Sequence, residues 1–184
     1  MNISVYTEAT PNPATMKFIV NKLLVNGSVD YATRESAEKA PFAKELYKFS
    51  FVNGVFFASN FVTVTKTEGS DWDDIQPILK EFVKGAVESE LKVQEVEQET
   101  DVAFEGTETE IKIQQILNDY VRPAVEQDGG AITYRSFDEK GVVTVELRGS
   151  CSGCPSSTVT LKSGIENLLK RMVPEVTEVV SEAL

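Results

Sequence analysis

The sequence predicts a mixed α/β (α+β) protein of two small domains, the second ordered α-β-β-α-β with a C-x-x-C loop between a strand and a helix. Three observations predict this. Strand-like alternation and helix-like spacing interleave along all 184 residues. Charge divides the chain: residues 1–89 carry 11 acidic and 9 basic side chains, residues 90–106 carry 6 and 1, and residues 107–184 carry 12 and 8. The only two cysteines stand three positions apart in "GSCSGCPSST", residues 149–158, at a strand-to-helix junction.

In the first domain, residues 1–89, "ISVYTE" and "MKFIVN" read as strands, with "PNP" as the turn between them because two prolines fix φ and exclude a helix. Residues 34–48, "RESAEKAPFAKELYK", read as a helix bent or restarted at Pro41. "VFFASNFVTVTK" reads as a hairpin, with Val62 and Val64 on one face and Thr63 and Thr65 on the other. "SDWDDIQPILKEFVKGAV" is a helix that Ser70 or Asp71 caps, with Trp72, Ile75, Leu79, Phe82 and Val83 on one side. Trp72 and the Phe56, Phe57 and Phe61 group are expected in the core.

Residues 90–106, "ELKVQEVEQETDVAFEG", hold −5 of the net −11. Such a stretch repels itself and buries little, so it reads as an acidic linker, although "LKVQEV" can alternatively complete the first domain as an edge strand. In residues 107–184, "TETEIKIQQILNDYV" spaces Ile113, Ile116, Leu117, Tyr120 and Val121 as a helix, which Pro123 ends or restarts. "EQDGG" is a turn, "AITYRSF" and "GVVTVELR" form a hairpin through "DEKG", and the helix after the cysteines aligns Leu161, Ile165, Leu168, Leu169 and Met172. Pro174 stops that helix, and "EVTEVVSE" is a last strand.

Composition removes whole classes of function. A net charge of −11 and a pI near 4.6 argue against nucleic-acid or anionic-membrane binding, which rest on clustered Lys and Arg. No apolar run approaches the length of a membrane span, and the N-terminus lacks a leader pattern, so a cytoplasmic location is expected. With no histidine in the chain, Ser-His, Cys-His and His-based metal sites are unavailable.

That leaves two sulfurs. Cys154 directly precedes Pro155, which suits a first helical turn, so its thiolate is favoured by the unpaired N–H groups there. Taken bare, C-x-x-C fits a redox dithiol, a metal site or incidental spacing. A thioredoxin-type motif is disfavoured by Ser152 and Gly153, where an aromatic residue and a proline are expected. A closed zinc or iron–sulfur site takes four ligands and one chain offers two thiols, so two chains about a two-fold axis, or a free small thiol, would complete it. Asp128, Gly129 and Gly130 read as a turn, and Lys162 as a surface lysine or, in a minority reading, a cation facing the site.

"VRPAVEQDGGAITY" and "VELRGSCSGCPSSTVTLKSGIENLLKRMVPEV" together closely resemble the C-terminal domain of NifU, the module shared by Nfu-type iron–sulfur cluster carriers. "TPNPATMKF" and "VFFASNFVTVTK" resemble the N-terminal domain of Nfu scaffold proteins, with "NGVFF" departing from the family's proline-glycine. The resemblance implies a non-enzymatic assembly factor that binds a [4Fe-4S] or [2Fe-2S] cluster between two subunits, with Cys151 and Cys154 as ligands. Its partners would be a second copy, upstream cluster donors and apo iron–sulfur clients, with transfer by thiolate exchange. The rivals are a thiol–disulfide oxidoreductase using Cys151 and Cys154 and an interaction module stapled by structural zinc.

Overall fold

The computed structural model describes residues 2–93, 106–151 and 155–183. The chain forms two compact units, Met1–Thr100 and Asp101–Leu184, each joining helices to one sheet, and the expected mixed α+β class is borne out. No described helix is long and apolar enough to cross a membrane.

The first unit is built on five antiparallel strands: β1 (Val5–Ala9), β2 (Thr15–Val20), β3 (Ser28–Tyr31), β4 (Val52–Ala58) and β5 (Phe61–Lys66), in the spatial order β1-β2-β5-β4-β3. Alternation directs Phe18, Val20, Val55, Phe57, Val62 and Val64 to one face, where α1 (Pro41–Leu46) and α2 (Trp72–Glu88) contribute Phe42, Leu46, Leu79 and Val83. Burying each of these large side chains contributes roughly 1.5–3 kcal/mol. The hairpin and its two faces are as expected. The helix expected over 34–48 is much shorter. Pro41 sits in its first turn, where its missing N–H costs nothing, and residues 34–40 stay as turns because a proline within a helix clashes with the preceding turn. β3 went unseen in the sequence because "SVDY" is too short to show a period; its pairing with β4 makes it a strand.

α2 starts as its cap predicts, with the Asp71 carboxylate accepting from the Asp73 N–H at 3.0 Å. The chain after α2 packs on the same unit. The Phe42 N–H donates to the Lys92 carbonyl, the Tyr31 hydroxyl donates to the Val93 carbonyl, and Val93 is buried. The rest of the acidic stretch, 94–105, lies outside the described residues.

In the second unit Thr107 and Glu110 form a reciprocal capping box that opens α3 (Glu108–Ile116). A π-helical turn, Leu117–Val121, leads without a break into α4 (Arg122–Gln127). Pro123 does not stop the chain's winding but stands in the first turn of α4, the short second helical piece that was one of the two expectations. It cannot donate to the turn before it, and the chain widens by one residue to pass it. That extra residue rotates the register, so Tyr120, expected on the apolar face, is 60% exposed while Leu117, Val121 and Val125 are buried.

β6 (Gly130–Phe137) and β7 (Val142–Gly149) form an antiparallel hairpin, and β8 (Glu178–Ala183) adds parallel to β7 after α5 (Pro155–Met172). The core joins Ile113 and Ile116 of α3, Val143, Val145 and Leu147 of β7, and Ile165 and Leu169 of α5. This order places the end of β7, the turn after α4 and the start of α5 at one end of the sheet.

Candidate metal centre

β7 ends at Gly149, whose φ of +67° lets the chain turn sharply into Ser150 and Cys151. α5 begins at Pro155, so the cysteine motif falls between strand and helix, as expected. Cys154, with Ser152 and Gly153, lies outside the described residues, as does the expected thiolate at the helix N-terminus.

Cys151 is held from below by the Asp128-Gly129-Gly130 turn that closes α4. The Ser150 N–H donates to the Gly129 carbonyl at 3.3 Å, and the Ser150 hydroxyl donates to the Asp128 carbonyl. A Cβ built on Gly130 would stand 2.7 Å from both the Cys151 sulfur and the Arg148 carbonyl. From the other side, the Thr158 hydroxyl of α5 donates to the Cys151 carbonyl at 3.2 Å. Three elements distant in sequence thus fix one sulfur. Reading the sequence recognised the turn's backbone and placed the Ser150 hydroxyl within reach of the sulfur, but missed Gly130 and Thr158 as parts of the seat of the thiol.

The Cys151 side chain packs into the core of the second unit and is 7% exposed. Burial pushes its thiol up to about 11, the Asp128 carboxylate adds to the rise, and the Ser150 hydroxyl, 4.0 Å from the sulfur, offsets part of it. In the apo chain Cys151 is therefore a protonated thiol at neutral pH. Among the described residues no group of three or more Cys, Asp or Glu side chains could hold a metal ion. Lys162 makes an ion pair with Glu178, at 3.8 Å, at the start of β8.

On the other face of the sheet Glu146 is buried between Arg148, at 2.5 Å, and Arg135, which stands two positions on from Thr133, the cross-strand partner of Glu146.

Residues 113–180 match the model of the NifU-like domain, and residues 5–90 match that of the scaffold protein Nfu/NifU N terminal. The chain is 39% identical over 185 residues to NifU-like protein 5, mitochondrial, of Arabidopsis thaliana, covering 97% of this chain and 67% of that protein. The chain belongs to the NifU-like, or Nfu, family. It is also 40% identical to NifU-like protein 4, mitochondrial, of the same plant and 38% identical to the NFU1 iron-sulfur cluster scaffold homolog, mitochondrial, of Drosophila erecta. It spans 65% and 63% of their lengths.

These Nfu relatives correct one expectation. A cytoplasmic location was expected, but the relatives are named as mitochondrial proteins, which points to the mitochondrion instead. The reading failed because it rested on the absence of a leader pattern, and an absence carries no address.

Proposed function

We propose that this Nfu-family chain is a non-enzymatic carrier that accepts an iron–sulfur cluster and delivers it to apo-proteins, with Cys151 and Cys154 as its two ligands. The observation that carries this reading is the seat of Cys151: a sulfur with a fixed backbone, at the end of a strand, in a chain with one other thiol and no histidine. The relative named an iron-sulfur cluster scaffold homolog supports the same reading.

The donor set suits the cargo. Iron–sulfur clusters are held by thiolates, typically four. Two C-x-x-C pairs from two copies of the chain make four, so the loaded form is a homodimer bridged by a [4Fe-4S] cluster, or by [2Fe-2S]. Residues 1–89, with the chain through Val93 packed onto them, and 107–184 act as the two domains, and the remainder of the acidic stretch 90–106 acts as the linker.

The raised proton affinity of Cys151 has a chemical consequence. Iron must displace the proton, so loading releases protons and the bond gains the full metal–thiolate attraction in a site of low polarity. Delivery runs the other way: a client thiolate bonds to an iron, the Fe–S bond to a carrier cysteine breaks, and that sulfur takes up a proton as it is buried again. The same burial weighs against a thiol–disulfide oxidoreductase acting through Cys151, since a thiol pushed up to about 11 is held in the protonated form and the nucleophile is the thiolate.

Anaerobic reconstitution tests the proposal. Iron, sulfide and zinc per chain, the masses of apo and loaded forms, and activation of an apo [4Fe-4S] enzyme are measured together. Iron and sulfide in a dimer that activates the acceptor are expected. Zinc without labile sulfide, a loaded monomer with no added thiol, or failure to activate the acceptor overturns it.

A further inference from the structure

Three polar side chains follow one another at helical spacing on α5: Thr158, Lys162 and Glu166. Two of them tie the helix to β8. Glu166 accepts from the Val179 N–H at 3.1 Å, and Lys162 pairs with Glu178 at 3.8 Å. Thr158 reaches instead to the chain beyond β7, where its hydroxyl donates to the Cys151 carbonyl at 3.2 Å. A helical threonine commonly turns its hydroxyl back to a carbonyl three or four residues earlier on its own helix. Here the acceptor lies seven residues earlier and outside the helix, on the residue that carries the sulfur.

We infer that Thr158 is a positioning residue whose hydroxyl latches the Cys151 backbone, so that the thiol of the empty chain stays in its seat. The inference rests on the reading of Cys151 as a cluster ligand, and adds how that ligand is kept before a cluster arrives.

The seat is built from both sides. On the strand side, the Ser150 N–H and hydroxyl are bonded to the Gly129 and Asp128 carbonyls, and Gly130 leaves the sulfur its space. The sulfur itself joins the apolar cluster of the second unit. On the helix side, any turn of the Cys151 peptide that carries its carbonyl away from α5 breaks the Thr158 bond. Threonine is β-branched and stiff at its first side-chain torsion, so few rotamers compete with the one that donates. The latch therefore sets how often this corner of the fold opens by itself, without the rest of the unit unfolding. While it is closed, the sulfur is shielded from electrophiles.

Alkylation of the reduced apo chain by iodoacetamide at fixed pH tests this. It needs no cluster, so a null result here and a failed reconstitution are told apart. Tandem mass spectrometry of the peptide 149–162 reads Cys151 separately from Cys154. Thr158→Val keeps the shape and removes the donor, and should raise the Cys151 rate about three- to tenfold, the range that one net hydrogen bond supports. Thr158→Ser keeps the donor and should stay within about 1.5-fold of the parent. The rise should also be flat across low urea, because a local opening exposes little surface and has almost no denaturant slope. Three results overturn the inference: an unchanged rate for Thr158→Val, a serine variant as fast as the valine variant, or a rise that climbs with urea as global unfolding does. Should Thr158→Val lose the circular dichroism of the parent, Thr158→Ala is read by the same criteria.

Discussion

Gly130 and Cys151, 21 positions apart in sequence, touch so closely that a single methyl group on Gly130 would stand 2.7 Å from the Cys151 sulfur. The Arg148 carbonyl bounds the same space at 2.7 Å, and backbone cannot swing aside as a side chain can. Gly130→Ala is therefore expected to displace Cys151, to destabilise the second unit by about 1–3 kcal/mol as overpacking does, and to lower the iron held after reconstitution. Gly85→Ala is the control: a Cβ there meets nothing within 4 Å on α2, so it should be neutral or stabilise by about 0.5–1 kcal/mol. Equal melting temperature and equal iron content for Gly130→Ala and the parent would refute the seat assigned to the sulfur.

Removing the sulfurs separates binding from folding. Cys151→Ser and Cys154→Ser, singly and together, are each expected to abolish stoichiometric iron retention while the far-ultraviolet circular dichroism stays that of the parent. A serine hydroxyl is a poor ligand for iron in a cluster, and neither change removes an element of the fold. Iron bound by the double variant as well as by the parent would sink the ligand assignment.

The first unit should lose stability in alkali. Burial pushes the Tyr47 hydroxyl up to about 12, and the charge of Asp30 adds to the rise. Tyr47 donates to the Tyr31 carbonyl at 2.7 Å inside the core. Its folded value lies above the ordinary value of 10.0, so its contribution is complete below pH 10 and is lost as pH rises toward 12. Tyr47→Phe should cost about 0.5–1.5 kcal/mol at pH 8, from the lost hydrogen bond, and should flatten the decline between pH 10 and 12. Urea unfolding at both ends of that range reads it, and identical slopes for parent and variant would contradict the assignment.

Glu146 offers a test away from the cysteines. Its carboxylate is buried between two guanidinium groups, one of which, Arg135, remains half exposed. Glu146→Gln leaves those cations without their counter-charge, but Arg135 can turn to water, so a loss of about 1–3 kcal/mol is expected, below that of a fully enclosed pair. Denaturant midpoints measure this, and a variant as stable as the parent would show that Glu146 does not hold the two arginines together.

Local pattern accounts for what could be read ahead of the structure. The hairpin at Val62 to Thr65 showed because alternation has a period of two, and α2 and α5 showed because their apolar residues repeat at helical spacing. Pro41 and Pro123 were recognised as breaks, and each does stand in the first turn of a short helix, but the loss of the turns before Pro41 and the continuous join before Pro123 went unread. One shortened a helix to Pro41–Leu46, and the other was absorbed by a π turn that swung Tyr120 outward. Which remedy a chain adopts at a proline depends on what packs against it, and no window of sequence contains that neighbour.

The sequence alone determined the inventory: two thiols, no histidine, an excess of acid concentrated in one stretch, and the order of helices and strands in the second unit. These follow from residue type and nearest-neighbour geometry. Tertiary structure alone decided that Cys151 is buried and its thiol pushed up, that Gly130 and Thr158 hold it, and that Phe56 and Phe61 lie on the face away from the helices. Those facts arise from contacts between segments far apart in the chain, where the solvation of a sulfur or a ring is set by whatever the fold brings beside it.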